Sequence, residues 1–164
     1  MKIIFAVAKL KDLDELMRLA EDFEKEHFII STRENAKMKI LMKRKKNWPE
    51  IMKKYFKKCV KSRNSRVYIA KDGNVIVGYT LLNIKKNMPL SAEKSFGYFD
   101  DLFVRKNYRG LGVSTNFKNF GLKWFRQHGI KEVHIGAHWG NARARRIYEG
   151  WGFMNRDVSM VKRI

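Results

Sequence analysis

Between Val104 and Ser114 the chain changes its period, and that change constrains the fold more than any other feature. Up to Val104 the residues from Ser95 read as a strand. Then come a short basic turn, Arg105-Lys106-Asn107-Tyr108-Arg109, and the loop Gly110-Leu111-Gly112. From there Val113, Phe117, Phe120 and Trp124 recur at helical spacing as far as His128. A strand that feeds a helix through glycines leaves free backbone N–H groups at the positive end of the helix dipole. Glycine lets a phosphate approach that backbone closely, and Arg109 can add a charge-assisted bond. Physics alone suggests a phosphate or pyrophosphate site here, with an ordinary strand–turn–helix corner as the alternative. The pattern is neither a P-loop nor a Rossmann fingerprint.

The rest of the chain supplies the scaffold. Lys2–Ala8 reads as a first strand. Asp12, with Glu15 three residues on, reads as the cap of a helix carrying Leu13, Leu16, Met17, Ala20, Phe23 and His27 on one face. A second helical piece is expected within residues 33–46. A third starts at Asn47-x-Pro49-Glu50 and turns Met52, Tyr55, Phe56, Cys59 and Val60 inward. Asp72-Gly73 between Arg66–Ala70 and Asn74–Ile84 signals a hairpin. Further on, Glu132–Ala137 is a strand, Asn141–Glu149 a helix, and Phe153–Arg163 a closing strand. The expected architecture is a mixed α/β single domain over residues 1–164. It has a mostly antiparallel twisted sheet of six to seven strands and helices on both faces.

A chain of 164 residues has room for one sizeable core. No apolar run reaches the roughly 20 residues needed to span a bilayer. One cysteine, Cys59, excludes an internal disulfide framework and fits a reducing, cytoplasmic setting. His27, His128, His134 and His138 have no metal-like spacing, so no metal is expected. The net charge is +20. Residues 37–66 hold 13 Lys and Arg against Glu50, a net of +12, and residues 105–164 hold 13 against three acids, a net of +10. Such a surface attracts phosphates and polyanions. Nucleic-acid contact through residues 37–66 is one reading of it, without a recognised motif. A solvated lysine-rich face is the other.

Two motifs resemble those of the GNAT superfamily of N-acetyltransferases. Arg109-x-x-Gly112-x-Ser114 is similar to its coenzyme-A loop, with Ser114 in place of the usual Gly or Ala. Asn141-x-x-Ala144-x-x-Ile147-Tyr148-Glu149-x-x-Gly152-Phe153 is similar to its C-terminal signature, with Ile147 for Leu. Together they cover about residues 95–155. The resemblance implies transfer of an acetyl group from acetyl-CoA, as co-substrate, to a primary amine of a small molecule or protein, by a monomer or homodimer and without an acyl-enzyme. Backbone groups of Leu102, Phe103 and Val104 would pair with the pantetheine arm. Backbone N–H groups of Arg109, Gly110, Leu111, Gly112, Val113 and Ser114 would hold the pyrophosphate, and Asn141 would bond the coenzyme or cap its helix. Tyr148 would protonate the leaving thiolate. For the base, Asp100 is preferred to Asp101 because strand alternation puts it on a face with Tyr98, Leu102 and Val104. The alternative function is a non-catalytic acyl-CoA-binding module that uses residues 37–66 to meet nucleic acid.

Overall fold

A computed structural model describes residues 2–164. Strand β1 (Ile3–Val7) leads through a short 3-10 turn into helix α1 (Leu13–Thr32), and α2 (Met38–Leu41) and α3 (Trp48–Lys61) follow. Strands β2 (Ser65–Asp72), β3 (Val75–Lys86) and β4 (Ser95–Val104) come next. Helix α4 (Val113–Gln127), β5 (Val133–Ile135) and α5 (Ala142–Gly150) complete the order.

The five strands lie in chain order across one sheet. The first three pairings are antiparallel and β4–β5 is parallel. The expected hairpin forms with Gly73 at φ 57, the conformation its two-residue turn demands of the first central residue. Asp12 does not cap α1. Its carboxylate accepts the Lys9 N–H at 2.8 Å and pairs with Lys71 at 2.8 Å, closing the turn before the helix.

Helices α1 and α3 cover one face of the sheet. Their core holds Leu16, Leu19, Phe56 and Cys59 against Tyr79, Leu81 and Phe103. Phe56 is fully buried, so Phe56→Ala should cost roughly 3–5 kcal/mol. Helix α4 covers the other face, with Phe117 against Ala70, Val77 and Val104, and Trp124 and Phe125 against Leu82 and Phe99. Gly121 makes this approach possible, since a Cβ there would stand 2.5 Å from the Phe99 ring.

The closing strand expected over Phe153–Arg163 does not form, and the sheet has five strands instead of six or seven. A strand needs a neighbour with a free edge, and β5 offers only three residues. The apolar residues that suggested alternation, Val158 and Met160, stand 77% and 92% exposed.

Candidate active site

Strand β4 positions the site by two irregularities. Its parallel pairing to β5 runs only from Gly97↔Val133 to Phe99↔Ile135, although β4 continues to Val104. Beyond Phe99 the two strands part. In the same place the β3–β4 register slips, since Leu81 faces Asp101 while Leu82 faces Phe99. Asp100 is therefore the extra residue of a bulge.

The bulge overturns the alternation expected for the two aspartates. Phe99 faces α4, while Asp101 and Phe103 oppose Leu81 and Tyr79 on the α1/α3 face. Asp100 is on that face too, beside Asn83, whose side chain also reaches Tyr55 of α3. Asp100 thus shares a face with Asp101 and Tyr98 but not with Leu102 and Val104, which face α4. The two carboxylates differ in their partners. Asp100 takes Lys85 Nζ at 2.6 Å on Oδ1 and the Asn83 amide on Oδ2. The Asp101 carboxylate has a single hydrogen bond, from the Tyr79 hydroxyl at 3.4 Å. Burial pushes the Asp101 carboxyl up to about 7, and the neighbouring Asp100 charge adds to the shift.

A cleft of about 960 Å³ opens where β4 and β5 part. The wall formed by the end of β4 and the start of α4 is mostly backbone. Arg105 N–H donates to Val77 O, so ladder alternation turns the N–H groups of Leu102 and Val104 away from β3 and toward the gap. Phe103 departs from the expected role, because its backbone faces Tyr79 on β3 and its ring packs on Phe23 and Tyr79. After β4, the N–H groups from Gly110 to Thr115 find no backbone partner, and α4 begins at Gly112 without a side-chain cap. Gly110 and Gly112 hold φ 81 and 76, which a side chain would strain.

Arg109 is committed elsewhere. Its N–H bonds Lys106 O at 3.2 Å, its Nε bonds Val104 O at 2.8 Å, and its Nη2 bonds Glu26 at 2.7 Å. It therefore braces the end of β4 and offers no backbone donor. Leu111 is half exposed and does not line the cleft, whereas Gly110, Gly112, Val113 and Ser114 do.

Tyr148 and Asn141 complete that side. Asn141 Oδ1 accepts the Ala144 N–H at 3.1 Å and caps α5, which leaves its Nδ2 as a donor at the cleft wall. Tyr148 also lines the cleft, with its ring against Trp151 and Phe153. Burial pushes its phenol up to about 12.

The opposite end is built of side chains to which no sequence motif assigned a role in the site. Glu24 and His27 come from α1, Arg44 from the loop after α2, and His138 from the loop after β5. Arg44 clasps Glu24 through two bonds of 2.8 and 2.7 Å. The rings of His27 and His138 meet edge to face at 6.1 Å, and burial pulls the His27 imidazole below its ordinary value. No local pattern in residues 20–46 marks these positions. The pair Arg143 and Arg146, one helical turn apart and next to Asn141, did carry a readable signal, and both line the cleft. Cys59 is buried among the α1/α3 core residues, away from the cleft. Among the described residues, no group of His, Cys, Asp and Glu is placed to hold a metal ion. None of their helices is long and apolar enough to cross a membrane.

A split sheet and an uncapped, glycine-bounded helix start are joined by one cleft. The chain belongs to the acetyltransferase (GNAT) family, whose sequence model matches residues 18–153. No curated protein matches it by sequence. Solved structures share its fold at low identity. A tetramutant of the BH1408 protein from Bacillus halodurans superposes with TM-score 0.79 at 20% identity, over 98% of this chain and 99% of that one. A predicted acetyltransferase with acetyl-CoA, from Clostridium acetobutylicum, gives 0.80 at 16% identity over 99% and 96%. The aminoglycoside 6'-N-acetyltransferase AAC(6')-Ih from Acinetobacter baumannii gives 0.71 at 14% identity over 99% of each chain.

Proposed function

We propose that this protein transfers an acetyl group from acetyl-CoA directly to a primary amine. The observation that carries the reading is the cleft itself. It has unpartnered backbone N–H groups at one end and an aspartate carboxylate with one weak hydrogen bond at the other, joined by the open edge of β4. The family's solved members with acetyl-CoA and with aminoglycoside acetylation in their names support the substrate pair.

The residues divide the work as follows. The N–H groups of Gly110, Gly112, Val113 and Ser114 hold the pyrophosphate, with Asn141 Nδ2 as a further donor. The edge groups of Leu102 and Val104 bond the pantetheine amides as a neighbouring strand would. A lysine-like amine has a pKa near 10.4, so only about one in a thousand is neutral at pH 7. Asp101, lifted to about 7, is the base that takes its proton. Asp100, held by Lys85 and Asn83, sets the charge beside it. The Tyr148 phenol keeps its proton throughout the working range and donates to the leaving sulfur. The same apolar surroundings raise the thiol, which narrows the gap between the two groups.

Isothermal titration with acetyl-CoA, then thiol release across a panel of amines, tests the reading. We expect micromolar binding and turnover of at least one amine. No binding at high micromolar acetyl-CoA would sink it.

A further inference from the structure

The acceptor end of the cleft does not stop at Arg44. The same residue lines a second, shallow depression of about 640 Å³, together with Ile40, Leu41, Lys43, Lys45 and Arg163. Four of these six are cations and none is an acid. Lys43, Lys45 and Arg163 have no ion-pair partner among the described residues. Ile40 and Leu41 stand 58% and 40% exposed in the depression. Arg44 gives its Nε and Nη2 to Glu24, which lines the main cleft. Arg44 thus lines both regions. The cleft holds the acids Glu24, Glu26, Asp100 and Asp101 as well as arginines, whereas the depression holds only cations and aliphatic groups.

Resting on the transfer reading above, we infer that the acceptor is a primary amine whose body carries an anionic group next to an apolar stretch. The ammonium end enters past Glu24 toward Asp101. The carboxylate or phosphate of the body crosses Arg44 and meets Lys43, Lys45 and Arg163. The apolar stretch covers Ile40 and Leu41. A free polyamine fits poorly, because its second ammonium would face like charges with no acid to neutralise them. A bare nucleic-acid strand leaves the two aliphatic side chains unused, so the depression favours a small or peptidic acceptor.

Four primary amines of one chain length test this: an ω-amino carboxylate, the ω-amino phosphonate, the amide of the carboxylate, and the diamine. Their binding to coenzyme-A-loaded protein is measured by calorimetry at low and high salt, and their acetylation by thiol release. The anionic amines should bind about tenfold or more tighter than the diamine at low salt, and salt should erode the difference. The order of carboxylate and phosphonate identifies the anion. Lys43→Glu with Lys45→Glu, checked for fold by circular dichroism, should cut the anionic-to-neutral affinity ratio about tenfold. Equal binding of all four amines, or a ratio untouched by the double substitution, overturns the inference. Acetylation without an anionic preference leaves the transfer reading standing while this one falls. An anionic preference without acetylation of any amine does the reverse.

Discussion

In the proposed function, the two ends of the cleft recognise their ligands by different means. At the coenzyme end, recognition is done by main chain: the outward N–H groups of Leu102 and Val104 and the free amides after Arg109. At the acceptor end it is done by side chains from four separated stretches, with Glu24, Arg44, Asp101 and His138 brought together by the fold. Main-chain recognition depends on conformation, so it tolerates most substitutions and fails at glycine. Side-chain recognition depends on chemistry, so it can be retuned residue by residue. The contrast explains how one scaffold can keep its coenzyme while its acceptor varies.

That contrast can be broken most forcefully at Asp101. Asp101→Asn removes the base and should lower kcat about 10³-fold, with the acetyl-CoA Kd nearly unchanged in calorimetry. A parallel loss of coenzyme affinity would mean that the two ends are not separate. Tyr148→Phe should cost about 10²-fold in kcat by stopped-flow thiol detection, again with little change in Kd. Equal losses in both would remove its role as donor to sulfur. Gly112→Val is the counterpart on the main-chain side. A branched side chain at φ 76 is strained by roughly 1–3 kcal/mol. Acetyl-CoA affinity should fall roughly tenfold to a hundredfold in titration, while acceptor affinity holds.

The smallest expected effect is a shift in pH dependence. With Asp101 raised to about 7, its active, deprotonated form grows as pH climbs toward that value. The profile of kcat/KM should therefore rise with pH and level off above it. Asp100 is the second cause of the raised value, after burial. Asp100→Asn should move the inflexion to lower pH, and an unmoved inflexion would assign the titration to another group.

The glycine-bounded start of α4 and the Asn141 cap were legible in the sequence because their determinants are local. Glycines at fixed offsets after a strand, and Asn141 seven residues before Tyr148, need only neighbouring chain to act. Even there, Arg109 and Phe103 took other roles, since tertiary partners such as Glu26 and Tyr79 do not show in a local pattern. The acceptor end was not legible. Glu24 meets Arg44 across 20 positions of chain, and α1 reaches His138 only through folding. The relation of Asp100 to Asp101 failed for a sharper reason. One inserted residue in β4 breaks the alternation on which any face assignment rests. The missing last strand is of the same kind, because pairing depends on a neighbour's length as well as on a segment's own residues.

The parting of β4 from β5 has one more consequence. A strand edge without a neighbour is a template on which another extended chain can add, and that is a common route to self-association. In this fold the unpaired edge lies inside the cleft, so only a narrow chain can reach it. Bound thioester would occupy that edge and block strand addition.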